Sequence, residues 1–165
     1  MIIFAANFAF LQWIENTEPA IFLRQSVWLY PSVEILHIIG FAVLVGAVFL
    51  FDLRLLGMAR KLPVTDCIKH FIRWALISFA LVLPSGTLLF MVDATSIGMN
   101  AAFRLKLILI LLAGLNAALF HLFTRKSIEE WNVDRIPPLK AKLAGIISIL
   151  LWFSVIAAGR LIAYV

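Results

Sequence analysis

Apolar residues run through this chain in four long blocks, at about 31–56, 67–92, 102–124 and 139–163, and polar or chain-breaking residues punctuate them. Each block supplies the ~20 mostly apolar residues that a helix needs to cross a bilayer. Gly57 and Pro63 follow the first, Asp93, Ser96, Gly98 and Asn100 the second, and Pro137-Pro138 the third, all residues that favour turns over continued helix. The pattern predicts an all-α integral membrane protein, a four-transmembrane-helix bundle occupying residues 31–165. The preceding segment, 1–30, reads differently. MIIFAANFAFLQWIENTEP holds about 14 apolar-patterned residues, too few to span, and Asn7, Gln12, Glu15 and Asn16 interrupt it. Trp13 suits a headgroup boundary, so a short interfacial N-terminal helix is expected. It lacks the basic start and small-residue cleavage site of a secretory signal and is expected to stay in the mature protein. Pro19 opens a second short piece ending in Trp28 and Tyr30, which suit an aromatic belt, and Pro31 fits the first turn of the next helix.

Composition sharpens this picture. Hydrophobic residues make up 64% and charged ones 14%, against roughly half and a quarter in soluble domains, so the lipid bilayer is the expected partner. The net charge of +5 does not point to nucleic acid, because the basic residues sit at the ends of apolar runs, where they anchor and orient helices. Arg54, Arg60, Lys61, Lys69, Arg125, Lys126, Arg135, Lys140 and Lys142 surround the first and third links, whereas Arg24, Arg104, Lys106 and Arg160 lie on the other side. The positive-inside bias then puts those two links in the cytoplasm and both termini outside it. Cys67 is the only cysteine, which excludes an intrachain disulfide and a cysteine metal cluster and suits a small buried residue.

Ionisable groups inside spans carry the candidate chemistry, since facing lipid costs them several kcal/mol. On the first helix Glu34 and Asp52 are separated by about five whole turns and share an azimuth, with His37 roughly 60° away and about 9 Å below Pro31. The plain alternative for Glu34 and Asp52 is that they end the span in the headgroup region. On the second helix His70, Ser78 and Ser85 share an arc, Pro84 should kink the helix and free a carbonyl, and Ser85-Gly86 after the kink admits close approach of a neighbour or a ligand. The third gathers Lys106, Ala113, Gly114, Ala117 and His121, its small residues admitting a neighbouring helix, while Asn116 points elsewhere and needs another partner. Ala141, Gly145, Ser148, Trp152, Val155 and Gly159 form a close-packing seam on the fourth, within the chain or across a homo-oligomer. By depth, an inner cluster of Asp52, His70 and His121 and an outer one of Glu34, His37 and Lys106, joined by Met91, Asp93 or Arg160, are the expected groupings. Arg104 is a further polar candidate on the outer side.

The stretches H-I-I-G-F-A-V-L-V-G…D-L-R-L-L-G from His37, A-F-R-L-K…A-G-L-N-A-A-L-F-H from Ala102 and G-R-L-I-A-Y from Gly159, with W-L-Y-P at Trp28, resemble a family of small bacterial four-span membrane proteins of unknown function. The resemblance implies fold and location in the bacterial inner (cytoplasmic) membrane and gives no activity. More distantly, the chain is similar to b-type cytochromes and to the copper-resistance membrane domain, which makes haem b a candidate cofactor with His37, His70 and His121 as candidate ligands. Only His70 and His121 match in depth, so the bis-histidine pattern of a two-haem cytochrome is not met, and His37 with Met91 is the alternative ligation. Glu34-x-x-His37 has the carboxylate–histidine spacing of di-metal bundles, making the pair a candidate metal site, but the second copy and further carboxylates are missing. No soluble-enzyme motif occurs. Three function classes follow: a haem- or metal-binding bundle for redox or cofactor handling, a small transporter, channel subunit or proton relay, and a structural membrane subunit.

Overall fold

The computed structural model describes residues 2–164, without the side chains of residues 2–7 and 124–126. Asn7 and the charges of Arg125 and Lys126 therefore lie outside the described residues. Two short helices, α1 (Ile2–Glu15) and α2 (Glu18–Gln25), precede the first span, α3 (Leu29–Leu55). The second span, α4 (Val64–Val92), leads through the short α5 (Ala94–Met99) to α6 (Ala101–Phe123) and α7 (Leu139–Leu161). These four long helices have mean hydropathies of 2.0 to 2.4 in their most apolar windows, enough to cross a membrane. The chain is a multi-pass helical membrane protein.

Lipid offers no hydrophobic drive between helices, so close packing and polar contacts hold such a bundle together. α3 and α7 form its centre. α4 packs along the other side of α3 and α6 along the other side of α7. The two flanking helices meet at one end through the stacked rings of Phe90 and Phe103, 5.2 Å apart. The α7 seam lies against α3: Ala141 and Val155 are fully buried, and a Cβ at Gly145 would stand 3.2 Å from the Asp52 carbonyl oxygen. The small face expected on α6 behaves differently. Ala113 is buried, but Gly114 and Ala117 are exposed and nothing lies within 4 Å of where a Gly114 Cβ would be. α6 meets α7 along another azimuth, fixed in part by Asn116, whose Nδ2 donates to the Ala144 carbonyl at 3.0 Å.

The end of the bundle that holds the first and third links is closed by Arg54. This guanidinium is 2% exposed and donates to the carbonyls of Leu62 (2.8 Å), Asn132 (3.0 Å) and Arg60 (3.3 Å). Asn132 in turn accepts from the backbone N–H of Val64 through its carbonyl and from that of Thr65 through Oδ1. Both links thus fold onto one cation, over a core that includes Phe51, Leu55, Cys67, Phe120 and Trp131. His70 and His121 both fall within π-helical turns at this end, Ile68–Ile72 and Phe120–Thr124.

At the opposite end α1 docks on α5. Glu15 Oε2 accepts from the Thr95 N–H (3.0 Å) and hydroxyl (2.6 Å), capping the first turn of α5 from a distance. Those hydrogen bonds hold the Glu15 carboxyl below its usual range. Asn100 caps α6 and donates to the Ile162 carbonyl, which ties the second link to the end of α7.

Candidate functional site

His37 is the intramembrane ionisable group that the fold equips most fully. It projects from α3 toward α4, where its Nδ1 lies 3.0 Å from the Ser85 hydroxyl. Ser85 is buried, and its one hydroxyl hydrogen is engaged by the Leu81 carbonyl at 2.7 Å, a common bond for a helical serine to the preceding turn. The serine oxygen therefore accepts from His37, and Nδ1 carries the imidazole proton. The Val82 carbonyl lies beside the imidazole as well and favours a ring N–H there. With the proton on Nδ1, Nε2 carries the lone pair.

Two glycines let this happen. A Cβ at Gly86 would sit 2.8 Å from His37 Cε1, so the imidazole lies flat on bare backbone one residue after Ser85. On α7, Gly159 accommodates Lys106, whose Nζ would be 3.6 Å from an added Cβ. Lys106 reaches there from α6 and acts electrostatically on His37. It forms no ion pair among the described residues. All four spans consequently contribute to one corner of the bundle: His37 from α3, Ser85 and Gly86 from α4, Lys106 from α6 and Gly159 from α7.

Other candidates stand apart from it. Glu34 is exposed, and among the described residues no hydrogen bond or ion pair joins it to His37. Arg160 bonds and stacks with Tyr164, and Arg104 donates to the Gly98 carbonyl. At the far end Asp52 is buried at 4% exposure beside Ser148, His70 is exposed against Phe71, and His121 packs edge-on against Phe120. The described residues contain no group of three or more His, Cys, Asp or Glu that could hold a metal ion. The structure thus joins His37 to Ser85 and Lys106 but does not gather the inner triad or the wider outer group. Ser85-Gly86 after the Pro84 kink reads in the sequence as a place of close approach for a neighbour or a ligand; that the neighbour is the His37 imidazole is not legible there.

No curated protein and no solved structure matches the chain. A family model does match, over residues 4–165, nearly the whole length, and this agrees with the likeness seen in its motifs. The chain belongs to the family of unknown function DUF6644.

Proposed function

We propose that this protein is a small proton-handling carrier or relay of the bacterial cytoplasmic membrane, in which His37 takes up and releases a proton at the corner shared by the four spans. The observation that carries the reading is the hydrogen-bond chain from His37 Nδ1 to Ser85 to the Leu81 carbonyl: with the serine hydrogen given to Leu81, the proton belongs on Nδ1 and the Nε2 lone pair is left for a proton or a hydrogen-bond donor. Histidine is the side chain whose charge changes most readily near neutral pH, and ionisable groups inside spans characteristically mark proton and substrate paths. Lys106 lies within electrostatic reach, and its charge opposes a second one on His37, which suits prompt release of a proton once taken up. In the orientation that the basic links favour, both termini are extracytoplasmic and His37 lies near the outer face.

Reconstitution into liposomes containing a pH-sensitive dye tests this reading. An imposed pH gradient should dissipate faster with the parent protein than in empty liposomes, and His37→Gln should lose most of that increment while His70→Gln keeps it. Equal rates for parent and His37→Gln would overturn it. Haem b or metal handling is the competing outcome, and a Soret band in the detergent-purified protein, lost in His37→Gln, would establish it instead.

A further inference from the structure

We propose a second site, at the other end of the bundle, where Asp52 binds a lipophilic primary amine as its ammonium ion. Between α3 and α7 lies a recess of about 220 Å³, lined among others by Val45, Gly46, Phe49, Asp52, Trp152 and Phe153. Asp52 is the only ionisable residue in that lining. Asp52 is 4% exposed, with Ser148 beside its carboxyl group, and its Oδ2 has no hydrogen-bond partner.

A buried carboxylate with a bare oxygen and no counter-charge is costly, and either a proton taken up on it or a ligand bringing charge and donor together relieves the cost. Within the described residues no group supplies that charge. The single ion pair is Arg24 with Glu15; Arg54, about 200° around the helix from Asp52, gives Nε and Nη2 to the link carbonyls, and its buried Nη1, although unpartnered, makes no ion pair with Asp52. An ammonium group repairs the deficit because it brings a positive charge and N–H donors together. The remaining walls suit its body: Phe49, Trp152 and Phe153 offer apolar surface and ring faces that attract a cation. Phe49 and Phe153 are themselves exposed on the lipid-facing surface, so the recess opens sideways into the bilayer. A ligand reaches it by partitioning into the membrane. Size narrows the class. An apolar cavity of roughly 150 Å³ accepts benzene, so this one fits a single ring on a short aminoalkyl chain, or the ethanolamine end of a lipid. Both sources present the same primary ammonium.

The probe is 2-phenylethylamine, with 2-phenylethanol as its neutral counterpart, titrated by calorimetry into the full-length protein in phosphatidylcholine nanodiscs, whose headgroup has no N–H donor. Saturable binding of the amine, at least about tenfold tighter than the alcohol and weakened at least about tenfold by Asp52→Asn, is expected, as for other buried charge pairs. Gly46→Leu provides a variant that keeps Asp52: no atom lies within 4 Å of a Cβ there, so the new side chain fills open space and should block the amine without disturbing the fold. Discs containing phosphatidylethanolamine separate the two sources. Weaker apparent amine affinity in them identifies the lipid headgroup as an occupant, and unchanged affinity identifies the free amine. Absence of saturable binding, equal affinity for the alcohol, or binding unaffected by both Asp52→Asn and Gly46→Leu would overturn the proposal.

Discussion

At the scale of single residues, the His37 corner depends on an absence of side chain as much as on polar groups. Gly86→Ala would press a methyl group to within 2.8 Å of the imidazole, and overpacking of this kind costs about 1–3 kcal/mol. The expected result is a lower thermal unfolding midpoint together with a His37 ring displaced from Ser85, visible as a changed imidazole nitrogen shift. An unaltered midpoint and spectrum would show that the close approach is unimportant. Glu15 makes a prediction about pH. Its folded pKa lies below the ordinary carboxyl value of 4.5, so its docking on Thr95 stabilises fully above that value and is lost as pH falls through the folded pKa. Hydrogen exchange in α1 should therefore quicken on acidification below about pH 4.5, and Glu15→Gln should remove that dependence. Depth in the sequence puts Glu34, Ser85 and Lys106 alike within reach of an interior His37, since all lie in the outer halves of their apolar runs, but it does not choose among them. Nor does it reveal Gly86 under the ring, because that contact depends on how closely α3 and α4 approach.

At the scale of elements, the α3–α7 contact and the Arg54 clasp do most of the organising. Gly145→Leu should disrupt the former, since even a Cβ would stand 3.2 Å from backbone of α3, and it should lower the unfolding midpoint and broaden the gel-filtration profile. An unchanged midpoint and profile would contradict this packing. That seam is readable in the sequence from its alternating spacings of four and three. Because α3 occupies it, a homo-oligomer would have to use another surface. The Arg54 clasp is not readable there: as a sequence feature Arg54 is one more basic residue at a helix end. Its role appears only once both links fold back to present three carbonyls to it. Arg54→Lys retains the charge but not the planar fork of donors, so it should cost on the order of 3 kcal/mol and loosen both links to proteolysis. Protease resistance equal to the parent would remove that role.

At the scale of the whole molecule, four apolar spans are legible from hydropathy alone because lipid leaves the backbone no alternative to helix. Which polar residues meet is far less so, since periodicity fixes an azimuth within each helix but not which helices are neighbours. α4 and α6 flank the bundle, and the inner grouping of Asp52, His70 and His121 expected from shared depth does not assemble as a metal site. Topology is open to direct measurement. In a Cys67→Ala background, Lys61→Cys should react with an impermeant thiol reagent only from the cytoplasmic side and Ser96→Cys only from the opposite one; the reverse pattern would invert the orientation. The proton-handling reading rests on the state of one imidazole. Nitrogen-15 NMR of the protein in nanodiscs, with the His37 signals identified by their loss in His37→Gln, reports that state. The expected spectrum at high pH shows Nδ1 protonated and Nε2 bare, with reversible protonation of Nε2 as the pH is lowered. A His37 ring protonated on Nε2 instead, or one whose signals stay fixed however far the pH is lowered short of unfolding, would contradict it.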